Sequence, residues 1–162
     1  MVKNNIENTV NPVVQFVSTN NTGLIRVSAV IPLDDTIPQK AEGTEIITLA
    51  ITPKSATNIL LIEFSSCTQI SAGGVAVLVA LFQDATDNAL AATWGGGDEG
   101  NQIRTSMLRY IMIAGTTAAT TFKIRAGPNV VQNIAFNGDP VGATRRFGGV
   151  GSTWLTITEF YV

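Results

Sequence analysis

The chain has 162 residues, of which 45% are hydrophobic and only 14% charged, with a formal net charge of −2. A single cysteine excludes an intramolecular disulfide. The lack of histidine removes the commonest general base, the Ser-His-Asp and Cys-His arrangements and most zinc sites.

The length suits one domain with one well-buried core. Globular chains carry about 25% charged residues, so this one is short of charge for a monomer, and its surplus apolar surface suits burial between subunits. No apolar run approaches the ~20 residues that span a bilayer. Segment 75–82 is the longest candidate, so no membrane insertion is expected. The Lys and Arg residues are scattered, with only Arg145 and Arg146 adjacent. They form no basic stripe for nucleic acid.

Residues 1–12 are polar and asparagine-rich and end in Pro12; they read as an arm preceding a domain at 13–162. Two short strands are expected at 13–17 and 24–30, around a turn at 19–23. In segment 44–51, Ile46, Thr48 and Ala50 alternate with Ile47, Leu49 and Ile51, and β-branched residues dominate. Pro53 ends this strand. The next, at 58–64, holds an unbroken run, Ile59-Leu60-Leu61-Ile62, which suits a strand covered on both faces. Cys67 follows and reads as a buried, inert thiol.

Gly73-Gly74 introduces a segment from Val75 in which helix and strand compete; the two glycines and valine at every second position favour strand. A turn at 84–88 and a short strand at 88–94 come next, the strand with a short helix as its rival reading. Segment 102–113 is a long strand with Ile103, Met107, Ile111 and Ile113 on one face and Leu108, Tyr110 and Met112 on the other. After a turn at 115–119, segment 120–126 is expected to return as its hairpin partner. A strand at 130–136 closes on Asn137-Gly138, a tight-turn signal. In the last strand, 153–161, Leu155 and Ile157 face one way and Trp154, Thr156, Thr158 and Phe160 the other. Nine or ten short strands at spacings near ten residues, with no long helix, indicate an all-β sandwich or barrel.

Four phrases, IPLDDTIPQ, EGTEIITLAITPKSATN, LVALFQDATDNALAA and FGGVGSTWLTITEFYV, resemble a β-sandwich domain of bacteriophage virion proteins. That domain occurs at the tips of tail fibres and in small head-surface proteins. The likeness runs from about Asp34 to Tyr161. It implies a jelly-roll of the tumour-necrosis-factor or C1q type, usually a homotrimer, on the particle surface and made in the host cytoplasm. The expectation is a capsid decoration or cement protein bound to the major capsid protein. Its tether candidates are Val2, Lys3, Asn4, Asn5, Ile6 and Val10. The alternative is a tail-fibre tip that recognises a host cell-surface receptor. The short arm and lack of shaft repeats favour the head. The missing hydrophobic signal core and disulfides count against a secreted cellular ligand.

No residue pattern calls for a catalytic role, a metal or a cofactor, so no enzyme activity is expected. Asp34 and Asp35 read as turn formers, as do Asp84, Asp87 and Asn88. Gly95 to Gly100 satisfies G-x-G-x-x-G, but that motif needs a following helix to present its dipole to phosphate, and 104–113 reads as a strand. The loop tip with Asp98 and Glu99 is a recognition candidate. So is Arg145-Arg146-Phe147, for which inter-subunit ion pairs are the simpler reading. Trp154, Thr156, Phe160 and Tyr110 are the subunit-interface candidates, since aromatic residues are enriched in such contacts.

Overall fold

The computed structural model describes residues 12–162, so the tether candidates Val2 to Val10 lie outside the described residues. Where apolar and polar residues alternate, strands form. They are β1 (Val13–Asn21), β2 (Ile25–Val27), β3 (Thr44–Ile51), β4 (Ile59–Ile70), β5 (Val75–Gln83), β6 (Ala91–Gly97), β7 (Ile103–Ile113), β8 (Thr120–Pro128), β9 (Ile134–Phe136) and β10 (Thr153–Phe160). The only helical turn among the described residues is 3-10, over Phe147–Gly149.

The strands build two antiparallel sheets. In the first, β1 pairs β10, β10 pairs β4, and β7 lies along the other edge of β4. Short β9 and β2 extend this sheet beyond the start of β10. The second sheet runs β3-β8-β5-β6. Apart from the β5–β6 hairpin, successive long strands alternate between the sheets, which is the jelly-roll path. The core lies between the sheets, where Leu60, Ile62, Phe64, Leu155 and Ile157 of the first meet Val77, Val79, Leu81, Phe122 and Ile124 of the second.

Several strands differ from the sequence reading. Segment 120–126 is not the hairpin partner of 102–113. The turn after β7 carries the chain across the sandwich, and β8 pairs with β3 and β5. A hairpin would have left β8's core residues Phe122, Ile124 and Ala126 in the wrong layer. The strand expected at 130–136 shrinks to Ile134–Phe136, with Val130 and Val131 exposed. β1 continues through most of the expected turn because its residues pair with β10 as far as Asn21. Gly95, Gly96 and Gly97 belong to β6 rather than to a loop. Cys67 is exposed, not buried. β4 runs on to Ile70, and its two-residue period carries Cys67 to the outer side.

Residues 28–43 form a strap over the outer face of the second sheet. Ile31 packs on Ala76 and Leu78, and its backbone N–H donates to the carbonyl of Pro128 at 3.1 Å. Arg125 clamps the strap's end by donating to the carbonyls of Glu42 and Gly43 at 2.7 and 2.8 Å. Gly127 is required beneath it, because a Cβ there would run into the carbonyl oxygen of Ala29 and lie 3.0 Å from the Ile31 nitrogen. Gly127→Val is therefore expected to lift the strap and cost about 2 kcal/mol. Urea denaturation with limited proteolysis at 28–43 checks this; an unchanged midpoint would contradict it.

One charged side chain is sealed inside. Glu159 of β10 is fully buried. Its carboxylate accepts from the side-chain amides of Asn58 (2.6 Å) and Gln15 and from the backbone N–H groups of Lys54 (2.8 Å) and Ser55 (3.3 Å). It thus joins β1, β10 and the β3–β4 turn.

Candidate functional site

The outer face of the first sheet is the site. Strand register places its side chains in rows across β1, β10, β4 and β7. Phe160, Ile59 and Ile113 form the first row, and Phe16, Thr158, Leu61 and Ile111 the second. Ser18, Thr156, Glu63 and Arg109 form the third, and Asn20, Trp154, Ser65 and Met107 the fourth. The first two rows are almost wholly apolar. Phe16, Met107, Ile111 and Ile113 are each about 60% exposed, Met107 at 64%, although burying such a side chain is worth roughly 1.5–3 kcal/mol.

Charge is nearly absent from these four rows. Glu63 and Arg109 neutralise each other, with the guanidinium donating twice to one carboxylate oxygen at 2.6 and 3.0 Å. This pair helps line a depression of about 280 Å³ that Ser65, Met107, Leu108 and Trp154 also border. The second sheet offers a contrast, because the strap covers part of its outer face, including Ala76 and Leu78. Nothing in the described chain covers the first sheet's face.

Trp154, Thr156 and Phe160 sit together on this face. Tyr110 does not, since it points to the inner side of β7 and packs half-buried against the core. The sequence reading grouped Ile103, Met107, Ile111 and Ile113 on one strand face without naming them for the interface, and it passed over Phe16, Ile59 and Leu61. The available signal was the unbroken run in β4 beside a β7 apolar on both sides. The two strands are neighbours, and their surplus faces merge.

The recognition candidates occupy separate loops. Asp98 and Glu99 are exposed at the turn after β6, whose backbone packs against Gly73. The chain after the glycines enters strand β7, not a helix. Arg146 pairs with Asp139 of its own chain at 3.2 Å. Backbone N–H groups of Val141 and Gly142 hold the Asp139 carboxyl below its usual value against desolvation, with lesser help from the Arg146 and Arg26 charges. Arg145 bridges Gly138, and Phe147 is 76% exposed with φ of 55°. Asp34 acts as a turn former, accepting from the Thr36 hydroxyl and backbone N–H at 2.6 and 2.9 Å, and these bonds lower its pKa. Asp84 accepts from the Thr121 N–H at 2.8 Å, and Asp87 pairs with Lys40 at 2.7 Å.

Among the described residues no group of three His, Cys, Asp or Glu side chains is placed to hold a metal. No helix there is long and apolar enough to cross a membrane.

No family model matches the chain, and no curated protein matches it at a significant level. Among solved structures it is similar to the Eiger TNF of S. frugiperda, at 9% identity and TM-score 0.49, over 89% of this chain and 92% of that one. It is also similar to the VP2 subviral particle of infectious bursal disease virus, at 13% identity and TM-score 0.40, over 90% of this chain and 41% of that one. A third is an enzymatically active domain of bacteriophage CBA120 tailspike protein 4, at 12% identity and TM-score 0.29, over 78% of this chain and 19% of that one. At these scores the jelly-roll assignment rests on the strand order itself.

Proposed function

We propose that this chain is a non-enzymatic structural protein of a bacteriophage particle that associates with itself, as a trimer, through the outer face of its first sheet. On this reading it is a capsid decoration or cement protein. The assembled body sits on the outer head surface, spans neighbouring copies of the major capsid protein and adds buried area that resists shell disruption. The observation that carries self-association is the open, apolar, charge-poor face of β1, β10, β4 and β7, beside a second sheet part-covered by its own chain. The phage assignment is supported by the wording of the sequence between Asp34 and Tyr161.

Two measurements test it. Light scattering at micromolar concentration is expected to give a mass three times 17.1 kDa, and a monomer would remove the interface argument. Purified protein is expected to bind undecorated heads to saturation, and deletion of residues 1–12 to abolish that binding while the trimer persists. Binding to host cells but not to heads would replace the decoration role with that of a tail-fibre tip.

A further inference from the structure

We infer that the outer side of β6 carries a binding site for a neutral saccharide, centred on Trp94. This rests on the second sheet and is independent of how the first sheet associates. Trp94 is 68% exposed on a regular strand, an unusual place to leave an indole in water. Its neighbours on the same face of β6 are Ala92 and Gly96, so no side chain on its own strand shields the ring.

Gly96 is a second, separate observation. Glycine weakens a strand, and in a strand interior it often marks a place where another molecule or backbone approaches closely. Gly97 has an internal reason, because a Cβ there would strike the side chain of Gln102. Gly96 has none. Its φ is not positive, and a Cβ would meet Ala76 at an ordinary 3.6 Å. What the glycine provides is bare backbone next to an exposed ring.

The third observation is a groove of about 380 Å³ between Trp94 and the strap residues Pro32, Leu33, Asp34 and Asp35. A neighbouring lobe of about 400 Å³, reaching Ala89 to Ala92, shares Asp34, Asp35, Thr36 and Pro38 with it. Volumes of this order suit small ligands. A pyranose ring has one face of C–H groups that stacks on an indole and a rim of hydroxyls that donate hydrogen bonds. The Asp35 carboxylate, without a hydrogen-bond partner among the described residues, and the second oxygen of Asp34 are acceptors for that rim. Neither lobe is lined by Lys or Arg. Sialylated, phosphorylated or uronic ligands are therefore disfavoured by charge.

The chain has two tryptophans, so in Trp154→Phe the emission reports Trp94 alone. Titrated with maltotriose, chitotriose and mannotriose to about 50 mM, a range that covers the weak affinities of small polar ligands, at least one is expected to shift that emission saturably. Sialyllactose is expected to give no shift. By calorimetry on the otherwise native chain, Trp94→Ala is expected to weaken the binding about tenfold or more. Gly96→Val, whose Cβ would make only ordinary contacts at 3.6 Å, should do the same with an unchanged melting temperature and unchanged oligomer mass. Absence of saturable binding by all three sugars, equal binding of sialyllactose, or affinity that survives Gly96→Val in a folded protein would overturn the site.

Discussion

Ile111→Asp is expected to give a folded monomer. Ile111 closes the second apolar row on the edge strand β7, level with Leu61 of β4, with Thr158 and Phe16 farther along the same row. In the single chain it is 60% exposed, so an aspartate there meets water and costs little, within about 0.5 kcal/mol. In an assembled face the same carboxylate would be buried with no cation to receive it. The only nearby guanidinium, that of Arg109, is already held by Glu63. An unpaired buried charge costs about 4 kcal/mol, roughly a thousandfold in association. Light scattering and melting temperature together check this: the mass should fall to that of one chain while the melting transition of the isolated fold persists. Retention of the wild-type mass would show that another surface makes the contact.

Glu159→Gln is expected to lower stability by about 3 kcal/mol. The carboxylate faces four donors, three on Oε1 and Gln15 on Oε2, and an amide of the same shape loses the charge and sets its NH2 against the Gln15 donor. Hydrogen bonds to a charged acceptor are worth about 1.5–3 kcal/mol each, and the donors left unpaired add their own cost. Burial on its own would raise the Glu159 pKa, but the bonds from Asn58, Gln15, Lys54 and Ser55 outweigh it and hold the pKa below the ordinary glutamate value. A depressed folded-state pKa means that the stabilisation is fully present above the unfolded value, about pH 4.3. It is lost as pH falls below that value and through the folded one. Urea midpoints measured from pH 7 to pH 3 should fall less steeply below pH 4.3 in Glu159→Gln than in the native chain. Identical acid limbs would show that the carboxylate does not carry the effect.

How much of this could be read in the sequence depended on whether a residue's neighbours were local. The alternation of Trp154, Thr156 and Phe160 against Leu155 and Ile157 is a property of one strand, and the structure keeps it. The partner of β8 is not local. The turn at 115–119 looks the same whether it closes a hairpin or crosses a sandwich, and only packing Phe122 and Ile124 against the opposite sheet decides. Ile59 to Ile62 read as a strand covered twice, which is half of what the fold does: Leu60 and Ile62 are buried, while Ile59 and Leu61 stay partly open. Cys67 was misplaced because the length of β4, and hence the phase of its alternation, is fixed by its long pairing with β7. Trp94 gave no usable signal, since an aromatic at the end of a short strand is ordinary until its neighbours are known to be small and its face uncovered. The apolar surplus was visible in the composition, but its collection onto one face required the strand order.

The strap across the second sheet bears on how large an assembly can grow. Were both outer sheet faces open and apolar, each copy could bind one neighbour in front and another behind, and stacking would continue without limit as a fibre. Residues 28–43 cover part of one of those faces, over Ala76 and Leu78, with the chain's own Ile31. One open apolar face remains for self-association. On the proposed reading, the copies of a closed trimer share that face among themselves and stop, so the covered side of each copy acts as a terminator.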